Sequence, residues 1–102
     1  MSDRYILKGR EVFPCDDLKE WAKSFEISNR QVARETIGNS DVSTVFLGLD
    51  HSYNGGPPML FETLVFGGPL ADEMARCTTY EEAEAMHKVM CERVLGHTDF
   101  SI

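Results

Sequence analysis

Two dense apolar runs, residues 42–50 (VSTVFLGLD) and 60–66 (LFETLVF), flank the polar connection SYNGGPP, and no other feature constrains the chain as tightly. Both are rich in Val, Leu, Phe and Thr and short enough for strands, while the glycines and prolines between them suit a turn and neither strand. An antiparallel core hairpin follows. In the first run Val42, Thr44, Phe46, Gly48 and Asp50 alternate with Ser43, Val45, Leu47 and Leu49, so both faces carry bulky apolar groups. Such a hairpin needs cover on two sides, from helices on one and from helices or a partner chain on the other.

The remaining segments can be placed around that hairpin. RYILKGREVF (4–13) reads as a short hairpin turning at Lys8-Gly9, and Pro14 precedes Asp16, the expected N-cap of a helix. Leu18, Trp21, Ala22 and Phe25 recur at helical spacing and define that helix's apolar face. RQVARETI (30–37) alternates loosely with charge on both faces, the pattern of an edge strand, with a helix as its competitor. Gly38-Asn39-Ser40-Asp41 turns it into the first core strand, Gly67-Gly68-Pro69 ends the second, and 69–77 suits a loop or a short strand. Thr79 with Glu82 forms a capping box; Tyr80, Ala83, Met86, His87, Met90, Cys91 and Val94 share one arc of the following helix, with a stop at Gly96. Residues 95–102 are expected to be a mobile tail. The fold expected over residues 1–102 is a single α+β domain, a small antiparallel sheet of three to five strands with two amphipathic helices packed on one face.

Charge narrows the function. The net charge is −7, yet residues 1–35 carry seven basic and seven acidic side chains, so the excess lies entirely in 36–102, where three basic residues meet ten acidic ones. Between Arg34 and Arg76 there is no Lys or Arg, and the central hairpin therefore has no side-chain cation with which to neutralise phosphates. Nucleic-acid binding there is disfavoured; an acidic surface suits a basic partner or a cation. Cys15, Cys77 and Cys91 form no CxxC pair, which excludes a four-Cys zinc site and a disulfide framework and leaves three reduced thiols. No apolar run approaches the ~20 residues of a membrane span, and the N-terminal MSDRYILKGREVF lacks a secretory apolar region. A cytoplasmic location without membrane attachment is expected.

The densest set of reactive groups is Asp50-His51, with Glu62 entering the next strand. A register pairing Asp50 with Leu60 would bring Asp50 and Glu62 onto one face within roughly 7–8 Å, where with His51 or His87 they could hold a divalent cation or act as an acid/base pair. A register shifted by one residue separates them, and these residues read first as structural: Asp50, Ser52 and Asn54 supply Asx-type turn hydrogen bonds, and Glu62 is a carboxylate at a sheet rim or dimer seam. His87, in the middle of an apolar arc, reads first as a hydrogen-bonded core histidine. Tyr53, Asn54, Gly55 and Gly56 could present a recognition loop, while Pro57 and Pro58 remove N–H groups that a phosphate cradle would need. No organic cofactor is expected.

The strings LGLDH, GGPPMLFETLVFGG and TYEEAEAMH are similar to those of a family of short proteins found in tailed phages and prophages, over roughly residues 5–95. That resemblance implies an accessory protein acting in the cytoplasm of a bacterial host, and by analogy one that binds a host protein, in some cases a component of a defence system. Two functions compete on this basis. The first is a non-enzymatic, homodimeric binding protein; the second is a small metal-assisted hydrolase or ligand-binding enzyme built on Asp50, His51 and Glu62.

Overall fold

The computed structural model describes residues 3–27, 29–52 and 55–97. Its elements run β1 (Tyr5–Lys8), β2 (Glu11–Pro14), α1 (Leu18–Ile27), β3 (Gln31–Ile37), β4 (Ser40–Phe46), β5 (Phe61–Phe66), β6 (Met74–Cys77) and α2 (Tyr80–His97). Strands β3, β4, β5 and β6 form one antiparallel sheet in chain order, and β1 pairs with β2 as a separate hairpin. The α+β class is as the sequence implies. Strand β3 lies at the sheet edge, and the segment after Gly68, open between loop and strand on sequence grounds, supplies the other edge strand, β6. Ile37 pairs with Ser40 across a two-residue Gly38-Asn39 turn.

Helix α2 packs against all four strands of the sheet. Its start is secured by the expected capping box: Glu82 N–H donates to Thr79 Oγ1 at 3.1 Å, and Thr79 N–H donates to Glu82 Oε1 at 3.0 Å. The core beneath it has three levels. At one end Val42 and Val65 pair across the sheet and meet Met90 and Val94; at the other Phe46 and Phe61 pair and meet Leu60 and Ala83. Between these apolar levels Thr44 lies directly opposite Thr63, and His87 descends on them from the helix; all three are buried. The helix runs through Gly96 to His97, because this glycine stays in helical conformation instead of turning left-handed; the remainder of the expected tail, 98–102, lies outside the described residues.

Helix α1 is capped by Asp17, whose Oδ1 accepts from Lys19 N–H at 2.9 Å and Glu20 N–H at 3.1 Å, so the cap is one residue later than the expected Asp16. It lies against β1 and the peptide at Gly48 just past β4, not the middle of the sheet. Trp21 and Phe25 are half-buried, in edge contact with ring centroids 4.5 Å apart, whereas Leu18 at the first turn stays 58 % exposed. The join is made at Gly48. Its carbonyl accepts from Tyr5 N–H at 2.8 Å and from the Trp21 indole N–H at 3.1 Å, which ties hairpin and helix to the same peptide. Its φ of 78° turns the chain out of the ladder, so β4 ends at Phe46 and not at Asp50.

A Cβ at Gly48 would overlap the Phe25 ring and would sit on a left-handed backbone. Gly48→Ala is therefore expected to lower unfolding stability by about 1–3 kcal/mol in urea titrations. Gly56→Ala, with open space around its Cβ and no positive φ, is the control expected to change little.

Candidate functional site

The observed register overturns the convergence of Asp50 and Glu62. Val45 pairs with Glu62 and Phe46 with Phe61, so Asp50 lies beyond the end of the ladder, five residues along the chain from the partner of Glu62. The alternation in β4 buries Val42, Thr44 and Phe46 beneath α2, which puts Val45 and Glu62 on the opposite face. Glu62 is instead held by Arg76, whose Nε–H donates to Oε2 at 3.0 Å across β5 and β6. Asp50 is a clasp for its own loop. Its Oδ1 accepts from Ser52 N–H at 2.8 Å and from Met59 N–H at 3.0 Å, closing both ends of the connection between the core strands. Those bonds, the Ser52 ones foremost, hold its carboxyl below the usual carboxylate range. His51 is half-buried beside this clasp, with its N–H donating to Met59 O at 3.1 Å. Of the expected recognition loop, Gly55 and Gly56 are exposed, while Tyr53 and Asn54 lie outside the described residues.

A different cluster does converge. His87 projects from α2 between the two apolar levels; its Nδ1 lies 2.8 Å from Thr44 Oγ1, which is 2.5 Å from Thr63 Oγ1. Its Nε2 lies 3.2 Å from Glu35 Oε1 on β3 and 3.5 Å from Cys91 Sγ, one helical turn further along α2. In the neutral imidazole a ring proton on Nε2 is donated to the Glu35 carboxylate, an acceptor only, which leaves Nδ1 to accept from Thr44 O–H and Thr44 to accept from Thr63. Burial pushes the Cys91 thiol up to about 11, and the Glu35 charge pushes in the same direction, so this thiol is not an activated nucleophile. Cys77 is likewise pushed up to about 11, by burial first and then by Glu82. Ligand atoms of Glu35, His87 and Cys91 all lie within 4.8 Å of one another, a group that could hold a metal ion. The expectation that His87 is a hydrogen-bonded core histidine is met. Its association with Cys91 was legible in the i, i+4 spacing on the apolar arc; Glu35 was not, because the pairing of β3 with β4 and the docking of α2 bring it there.

The second notable surface is the face of the sheet turned away from α2. The register places Ser43, Leu64 and Met74 in one row, and Val45, Glu62 and Arg76 in the next. Phe66, beside Asp41, is 53 % exposed and Met74 is 49 % exposed, whereas Val45 and Leu64 are half-buried. At the β3 side Asp41 accepts from Arg34 at 3.0 Å and from Thr36 at 2.6 Å. Arg34 and Arg76 therefore balance Asp41 and Glu62. No helix of the described residues is long and apolar enough to cross a membrane. No protein-family model, curated protein or solved structure matches the chain.

Because the folded pKa of Asp50 is depressed, its ionised form stabilises the fold at pH values above the unfolded carboxylate value of about 3.9, and that contribution is lost as pH falls through the folded value. Asp50→Asn is expected to lower the melting temperature at neutral pH, with the difference from the parent protein narrowing as the pH is taken below about 4. A difference that grew in acid would contradict a stabilising role for the ionised Asp50.

Proposed function

We propose that this chain is a non-enzymatic protein-binding module of the phage accessory type, acting as a homodimer joined through the open face of its four-stranded sheet. The observation that carries the reading is the pair Phe66 and Met74, both about half exposed on a sheet face that α2 leaves uncovered. The occupant is a second copy of the chain. The acidic excess of residues 36–102 would oppose association, but the open face is locally neutral, and its polar groups form the Glu62–Arg76 and Arg34–Asp41 pairs. A two-fold axis through the face sets each copy's Glu62 towards the other's Arg76 while the apolar row is covered, a self-complementary arrangement suited to an isologous contact.

The resemblance of LGLDH and GGPPMLFETLVFGG to phage and prophage proteins supports a role in the cytoplasm of a bacterial host, and the acidic excess favours a basic protein partner there, a defence component being one such target. The engagement of Asp50 and Glu62 with separate partners weighs against the hydrolase alternative on those residues.

Light scattering on the purified protein is expected to give twice the chain mass of 11.5 kDa. Phe66→Glu is expected to give a folded monomer, since two buried like charges would face each other across the contact. A wild-type monomer, or a dimer unaffected by Phe66→Glu, would overturn the arrangement. Capture of one defined host protein that weakens as salt is raised supports the second half of the reading, and the absence of any salt-sensitive partner counts against it.

A further inference from the structure

We propose that Glu35, His87 and Cys91 form a zinc site with a fourth position open to solvent, independent of the open sheet face. Three observations carry the assignment. The ligand set mixes a thiol, an imidazole and a carboxylate, a combination that suits zinc and related transition metals and is foreign to calcium and magnesium. Two of the three spacings fit as well, and the third pair lies within 4.8 Å. Zinc bonds of about 2.0–2.3 Å in tetrahedral geometry set neighbouring ligand atoms about 3.3–3.6 Å apart, and His87 Nε2 stands 3.2 Å from Glu35 Oε1 and 3.5 Å from Cys91 Sγ. Finally, the histidine is positioned from behind. Thr44 at 2.8 Å fixes the ring through Nδ1, as an outer partner does for a metal-bound imidazole.

The proton inventory balances. In the metal-free protein one proton lies on His87 Nε2 and one on Cys91 Sγ, both beside the Glu35 carboxylate. On binding, the thiol proton is released, and the imidazole keeps its proton by moving it to Nδ1, with the Thr44 and Thr63 hydroxyls rotating so that Thr44 accepts where it had donated. The thiolate and carboxylate then match the two charges of the ion. The His87 side chain is 4 % exposed whereas that of Glu35 is 58 % exposed, so the outer side of the site faces water, which supplies the fourth ligand. Thr44 is a positioning residue here and makes no bond to the metal.

Cobalt(II) serves as the optical probe for the reduced full-length protein. The expected result is binding of one equivalent with a thiolate-to-cobalt charge-transfer band in the near ultraviolet and tetrahedral bands in the visible, all bleached by zinc. Cys91→Ala should abolish the charge-transfer band, whereas Cys15→Ala and Cys77→Ala should retain it. Glu35→Gln should keep that band and weaken zinc binding at least tenfold, and Thr44→Val should weaken it about 10–100-fold. His87→Ala opens a hole in the core, so Cys91→Ala, at a half-buried position, is the deciding variant, with its fold checked by circular dichroism. No charge-transfer band in the wild type, or a band that survives in folded Cys91→Ala, would overturn the assignment.

Discussion

Three polar side chains, Thr63, Thr44 and His87, are sealed beneath α2, and their hydrogen bonds decide where that helix can sit. A buried polar group left without a partner costs about 1–3 kcal/mol, a substantial part of the 5–15 kcal/mol that holds a typical domain together. The apolar levels on either side, Val42, Val65, Met90 and Val94 at one end and Phe46, Phe61, Leu60 and Ala83 at the other, could tolerate the helix sliding or rotating by a small amount. The polar level between them cannot. Only one placement sets the imidazole 2.8 Å from Thr44 while presenting its second nitrogen to Glu35 at 3.2 Å. The energy of docking comes mainly from the apolar levels, and its register comes from the threonines and the histidine.

The same alternation that buries Thr44 and Thr63 sends Val45, Leu64 and Phe66 to the far side of the sheet. One helix can cover one face. The second helix is drawn away by Gly48, whose carbonyl gathers both the β1 backbone and the Trp21 indole, so α1 and the N-terminal hairpin close the end of the core instead of its back. The open face and the Glu35–His87–Cys91 cluster are thus two consequences of a single arrangement, a four-stranded sheet with α2 on one side. They lie on opposite faces, which allows association and metal binding to be tested separately.

Much of this was legible in the sequence, and the failures have physical causes. Helical spacing together with the Thr79–Glu82 box located α2, and alternation located β3, β4 and β5, because these signals are local. The apolar character of both faces of β4 likewise anticipated a sheet with one side uncovered. Asp17 displaced Asp16 as the α1 cap through a one-residue shift that adjacent aspartates cannot disclose. The register of β4 on β5 was left open by the sequence, and it is not the one that would join Asp50 to Glu62: Gly48 leaves the ladder, a backbone event that composition does not report, and the cross-strand neighbours drawn from the longer strand moved with it. Asp50 and Glu62 became a loop clasp and half of an ion pair. Glu35 could not be found at all from sequence, since 52 residues separate it from His87 and two tertiary events, strand pairing and helix docking, bring them together.

The docking of α2 locks His87 between Thr44 and Glu35. Long-range proton–nitrogen NMR of the His87 ring in the metal-free protein tests it most directly. The expected spectrum is that of a single neutral tautomer with the proton on Nε2, an Nδ1 signal shifted by an accepted hydrogen bond that disappears in Thr44→Val, and slow exchange with solvent. An Nδ1–H tautomer, or a ring averaging between tautomers at the rate of an exposed histidine, would contradict it.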